Sequence, residues 1–144
     1  MDEVVPGLWL GDIKDARKAP KEMVKVCVLE TCLRETVLVP RTVHIPILVA
    51  TDEGQGAKWY KASTDQLNFA AKQIDFYLRD HKQVLVHCWA GEERSPLTVA
   101  WYLKLSKHIS MDEAYAIVKE KHPQTFRRDD DWLQPYVPVG ADIS

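Results

Sequence analysis

The chain should fold as an α/β domain with a central, mostly parallel sheet of four to five strands flanked by helices. Short apolar or β-branched runs alternate along it with helix-length segments whose apolar residues recur every three to four positions. One of those runs, Val84-Leu85-Val86, is apolar throughout, as a strand covered on both faces requires.

Each element has its own warrant. Gly7 to Gly11 suits a short strand bounded by turn residues, and Asp12 can cap a short helix that Ala19-Pro20 ends. Val24 to Leu29 is a β-branched run carrying Lys25 and reads as a central strand. Thr42 to Ile47 is a further short strand, with Pro46 marking its end. Leu48 to Ala57, with Asp52-Glu53-Gly54-Gln55-Gly56, reads as a mobile loop. From Trp59 to Leu78 the positions Tyr60, Ser63, Leu67, Ala70, Ala71, Ile74, Tyr77 and Leu78 share one helical face, with Lys61, Asp65, Lys72 and Asp75 outward. Pro96 to Leu105 is apolar nearly all round and reads as a buried helix, with Pro96 in the first turn, where no intrahelical bond is donated. Ser110-Met111-Asp112-Glu113 is a capping box opening a helix to about Lys121, which His122-Pro123 stops. Arg127 to Trp132 leads into a last short helix.

At 144 residues, 46% hydrophobic and 28% charged, residues 1–144 are expected to form one soluble domain with a proper core. The net charge of −2 offers no general attraction for polyanions, so neither nucleic acid nor an anionic membrane is expected as a partner. No apolar run approaches the ~18 residues of a membrane span, and the acidic opening Met1-Asp2-Glu3 does not read as a signal peptide. Cys27, Cys32 and Cys88 are sparse, odd in number and irregular in spacing. That argues against a disulfide framework and against zinc, and for a reducing cytoplasm. A monomer without metal or other cofactor is expected.

The chemistry concentrates in His87-Cys88-Trp89-Ala90-Gly91-Glu92-Glu93-Arg94-Ser95. A bare Cys-x5-Arg would arise by chance about 0.15 times in a chain of this composition; with His before it and Gly three after, roughly 2 × 10⁻⁴ times. A strand that turns tightly into a helix leaves backbone N–H groups without partners, and with the helix dipole they form an anion site. Gly91 supplies the backbone freedom, a Cys in that field is expected as a thiolate, and Arg94 has the planar fork for two phosphate oxygens. Ser95 sits where it could cap the helix beginning at Pro96 while reaching the sulfur.

These residues resemble the cysteine-based protein phosphatases, specifically the small dual-specificity class of the protein-tyrosine-phosphatase family. Val5-Pro6-Gly7-Leu8-Trp9-Leu10-Gly11-Asp12 with Asp15-Ala16 is similar to the family's opening strand and turn. His44-Ile45-Pro46-Ile47 followed by Asp52 is similar to its acid-bearing loop, and Val84 to Ser95 to its phosphate loop, Trp89 to Arg94 being the part that binds phosphate. The resemblance implies a metal-free, two-step hydrolysis of phosphoproteins. Cys88 would attack phosphorus while Asp52, or its neighbour Glu53, protonates the departing oxygen. Phosphotyrosine would be the substrate, and phosphoserine and phosphothreonine could join it. RNA 5′-triphosphates and phosphoinositides are served by the same loop in relatives, though the near-neutral charge counts against both. A module of another class would bind phosphopeptides and release no phosphate.

Glu92 and Glu93 depart from the family pattern, adding negative potential at the mouth of the site. His87 is expected to orient the loop, and Trp89 either to wall the pocket or to pack. Trp59, Trp101 and Cys27 are expected in the core, and Arg127 with Arg128 as a solvated pair. The resemblance also makes Cys32 a candidate redox partner of Cys88, a plain buried thiol being the alternative.

Overall fold

A computed structural model describes residues 1–30, 41–51 and 59–133. Its strands are β1 (Asp2–Val5), β2 (Leu8–Gly11), β3 (Val24–Cys27), β4 (Thr42–His44), β5 (Leu48–Thr51), β6 (Trp59–Ala62) and β7 (Val84–His87). Its helices are α1 (Ile13–Lys18), α2 (Thr64–Arg79), α3 (Arg94–Lys107), α4 (Met111–Lys121) and α5 (Asp129–Trp132). Five strands form one sheet in the order β1-β2-β7-β3-β4, parallel except for β1, and β5 pairs with β6 in a separate antiparallel ribbon. This is the expected architecture.

Sheet alternation divides the core between two faces. Val84 and Val86 of β7, with Leu8, Leu10, Val24 and Val26 beside them, face the main core under α2, α3 and α4. Leu85 faces the other way, with Ala16 and Met23 beneath α1. Both faces of β3 and β7 are therefore covered, and every residue of those two strands is buried, Lys25 included. Lys25 Nζ donates to the Pro20 carbonyl at 3.0 Å.

Local chemistry accounts for the helix starts. Asp12 and Asp15 form a reciprocal capping box on α1, and Ser110 and Glu113 form another on α4. Ser63 caps α2 through the Gln66 amide, which is why the helix begins at Thr64 and not at Trp59 as its periodicity suggested. Trp59 to Ala62 is instead a strand, paired in register with Leu48–Thr51, so the loop expected over Leu48 to Ala57 also opens as a strand. Aromatic residues at Trp59 and Tyr60 suit a strand as well as they mark a helical face. β3 and β4 stop earlier than expected, at Cys27 and His44, and the central strand is β7, with β3 beside it. β1 was not anticipated: it is four residues long and opens acidic, and its pairing with β2 turns on Gly7 at φ +84°. Among the described residues no helix is long and apolar enough to cross a membrane.

The topology locates the site. Gly11, His87 and Cys27 lie opposite one another at the same edge of three adjacent parallel strands. The chain passes from β2 through α1 to β3 and leaves the place between them for β7. The crevice outside the carboxyl end of β7 is therefore a switch point, where open α/β sheets bind ligands.

Candidate active site

β7 ends at His87, the loop turns through Cys88 to Glu93, and α3 begins at Arg94. The helix thus starts two residues earlier than expected. Its flanking residue is Glu93, which makes no side-chain cap, and Ser95 does not cap the helix. Inside the first turn, Ser95 Oγ lies 3.2 Å from Cys88 Sγ and 3.4 Å from the Gly11 carbonyl oxygen. Its one hydroxyl proton can serve either acceptor.

Cys88 is 1% exposed, and its Sγ also receives the Gly91 N–H at 3.3 Å. The sulfur thus meets one polar group from the loop and one from the helix's first turn. Gly91 has φ +71°, and a Cβ there would lie 2.9 Å from the carbonyl carbon and oxygen of Gly11. Glycine is required by conformation and by space alike. Ala90 and Glu92 beside it are exposed.

Three parts of the fold brace the loop. The Ile13 amide donates to the Trp89 carbonyl at 3.1 Å, tying the loop to the start of α1. His122 Nε2 donates to the Gly91 carbonyl at 2.6 Å, and the Phe126 amide donates to the Glu92 carbonyl at 2.7 Å. Arg128 Nη2 lies 3.5 Å from Glu93 Oε1, so one of the two acids in the loop is matched by a base. Arg127 and Arg128 are not the solvated pair expected. Arg127 bridges Asp112 and Asp129 and lies over Tyr115, while Arg128 also pairs with Asp131 and lies over Phe126 and Trp132. Adjacent acids and aromatic faces hold both guanidinium groups.

Arg94 Nε donates to Glu30 Oε1 at 2.7 Å, an ion pair that, among the described residues, leaves both Nη groups of the guanidinium for an anion. Glu30 follows β3 at the binding edge of the sheet, and sequence reasoning passed over it in favour of Cys32 nearby. Cys32, Asp52 and Glu53 lie outside the described residues.

His87 is fully buried, with Nδ1 3.4 Å from the Cys88 carbonyl and Nε2 without a hydrogen-bond partner among the described residues. Burial holds its pKa below the ordinary imidazole value, so the ring is neutral. Unfolded, an imidazole takes up a proton below about pH 6.5, whereas the folded chain resists it. His87 should therefore cost stability as pH falls below that value, by at most about 1.4 kcal/mol per pH unit. Urea melts over this range should show a shallower pH slope for His87→Gln than for wild type; equal slopes would contradict the assignment.

Trp89 is 56% exposed at the rim and does not pack into the core. Trp101 is partly buried against the core, its Nε1 donating to Asn68 Oδ1 at 2.9 Å, and Cys27 is fully buried. The side chain of Trp59 lies outside the described residues.

Comparison with known proteins supplies the family. Residues 8–134 match the family described as dual specificity phosphatase, catalytic domain. Protein-tyrosine-phosphatase IBR5 of Arabidopsis thaliana is 38% identical over 60 residues, 42% of this chain and 23% of that protein. Dual specificity protein phosphatase YVH1 of Plasmodium falciparum is 26% identical over 110 residues, 72% of this chain and 18% of that protein. The chain thus spans less than a quarter of the length of either. Among solved structures, human DUSP28 superposes with a TM-score of 0.70 at 18% identity, covering 92% of this chain and 91% of the other. Through its match over residues 8–134 this chain belongs to the dual specificity phosphatases, a family of cysteine-based protein phosphatases, with Cys88 to Arg94 as its Cys-x5-Arg loop.

Proposed function

We propose that residues 1–144 act as a single phosphatase domain that hydrolyses phosphotyrosine, with phosphoserine and phosphothreonine accepted at the same loop, through a cysteinyl-phosphate intermediate. The observation that carries this reading is the Cys88 sulfur, held between the Gly91 amide and the Ser95 hydroxyl in the loop that leads into Arg94 at the start of α3. In the first step the Cys88 thiolate attacks phosphorus in line. The P–O bond to the leaving group breaks, and a carboxylic acid gives that oxygen its proton. Arg94 and the loop amides bind the three other phosphoryl oxygens as charge shifts among them. In the second step the same carboxylate takes a proton from water, the water oxygen attacks phosphorus, and the P–S bond returns its electrons to sulfur. Ser95 stabilises that sulfur by turning its hydroxyl proton from the Gly11 carbonyl to Sγ.

Asp52 is the proposed acid, ahead of Glu53, because it follows His44-Ile45-Pro46-Ile47 in the stretch that resembles the family's acid-bearing loop. Asp52→Asn should lower turnover of para-nitrophenyl phosphate by about 10²-fold or more and remove one ionisation from the pH profile. An unchanged profile would transfer the role to Glu53. The substrate itself is tested by phosphate release from peptides carrying phosphotyrosine, phosphoserine or phosphothreonine in one sequence context. Release from the phosphotyrosine peptide is expected; binding of all three without release would instead establish a phosphate-binding module.

A further inference from the structure

His122 is 2% exposed, and its ring stands between two acceptors. Nδ1 lies 2.5 Å from Asp2 Oδ2 of β1, and Nε2 lies 2.6 Å from the carbonyl oxygen of Gly91 in the phosphate loop. A backbone carbonyl can only accept, so Nε2 carries the hydrogen and donates to Gly91, while Nδ1 faces the Asp2 carboxyl group. Among the described residues the only other side chain hydrogen-bonded to a carbonyl between Cys88 and Glu93 is His87, which reaches the Cys88 carbonyl at 3.4 Å.

The peptide plane converts this contact into aim. In a trans peptide the N–H points opposite to the C=O. Holding the Gly91 carbonyl towards His122 therefore turns the Glu92 N–H away from His122. The Phe126 amide, on the Glu92 carbonyl, does the same one residue further on. Gly91 needs such a hold, since a glycine has wide backbone freedom and its own N–H must stay on Cys88 Sγ. Asp2 fixes the ring by its other nitrogen and so links the first strand of the sheet to the loop.

We propose that His122 is a positioning residue: through Nε2 it holds the Gly91 carbonyl and so aims the Glu92 amide into the anion site formed around Cys88. The proposal rests on the phosphatase reading for its catalytic consequence, but its anion-binding consequence stands apart from turnover.

Two substitutions separate the two nitrogens. Glutamine places its amide nitrogen near the position of Nε2 and keeps a donor to Gly91; asparagine places its own near Nδ1 and keeps only a donor to Asp2. Tungstate serves as an unreactive phosphate-like probe, with affinity measured by calorimetry beside kcat and KM for para-nitrophenyl phosphate. His122→Gln should lose only a few fold in affinity and in kcat/KM. His122→Asn should lose roughly 30-fold or more in both, a fraction of what removing an anion-hole donor outright costs. Equal losses in the two variants, or no loss in either, would overturn the proposal. Should either variant fail to fold, long-range ¹H–¹⁵N spectra of the wild-type histidines supply the decision. A protonated Nε2 on His122 supports it, and a bare Nε2 overturns it. If wild type binds tungstate without turnover while the glutamine–asparagine difference persists, the positioning role holds and the phosphatase reading fails.

Discussion

Cys88→Ser should abolish hydrolysis of para-nitrophenyl phosphate, a loss on the order of 10⁴-fold or more, while leaving the fold and the phosphate cradle in place. The variant exchanges sulfur for oxygen at a site that is 1% exposed and already surrounded by donors, the Gly91 amide at 3.3 Å and the Ser95 hydroxyl at 3.2 Å. A serine hydroxyl fits there and accepts the same hydrogen bonds, but it does not ionise as a thiol does and is a poor nucleophile without an adjacent base. The base nearest in sequence, His87, is neutral, yet its Nδ1 is committed towards the Cys88 carbonyl, not to the nucleophile. Kinetics beside tungstate binding check this. Lost turnover with retained affinity is expected, and residual turnover within tenfold of wild type would remove Cys88 from the chemistry.

Gly91→Ala should also be damaging, for a different reason. The new Cβ would sit 2.9 Å from the carbonyl carbon and oxygen of Gly11. Both are backbone atoms at the end of β2, held in register with β7, so neither can yield as the tip of a side chain would. The backbone at φ +71° adds about 1–2 kcal/mol for any residue with a Cβ. Relief requires the loop to move, and movement breaks the bonds from Gly91 N–H to Cys88 and from His122 to the Gly91 carbonyl. Stability should drop by about 1–3 kcal/mol in urea unfolding and kcat/KM by about 10²-fold or more. A variant with wild-type kinetics would show that the loop tolerates another conformation.

The parts of the site that follow one another along the chain were legible in the sequence. Cys88, Gly91, Arg94 and Ser95 fall within one short stretch, and the strand-to-helix turn that presents them is a local event signalled by local residues. The parallel strands of the sheet were legible as well, because strands buried between layers write themselves as short apolar runs, whereas the acidic β1 did not. What the sequence concealed is brought together by folding. Glu30 meets Arg94 across 64 positions and His122 meets Gly91 across 31, and neither residue belongs to any spacing that would mark it. His122 was read only as the stop of α4, a role it also plays as the helix C-cap. Glu93 looked like an uncompensated acid until Arg128 came beside it. The ribbon of Leu48–Thr51 and Trp59–Ala62 was misread for another reason. Four-residue strands carry too few positions to separate a period of two from one of 3.6, and there the helical pattern ran on past its true start at the Ser63 cap.

The central claim is that Cys88 itself carries the phosphoryl group between the two steps. The most direct test is rapid acid quenching of the enzyme during turnover of para-nitrophenyl phosphate without added metal, followed by peptide mass spectrometry. A phosphate adduct on the peptide containing Cys88, absent in Cys88→Ser, is the predicted result. Turnover with no such adduct, or with the adduct on another residue, would contradict it.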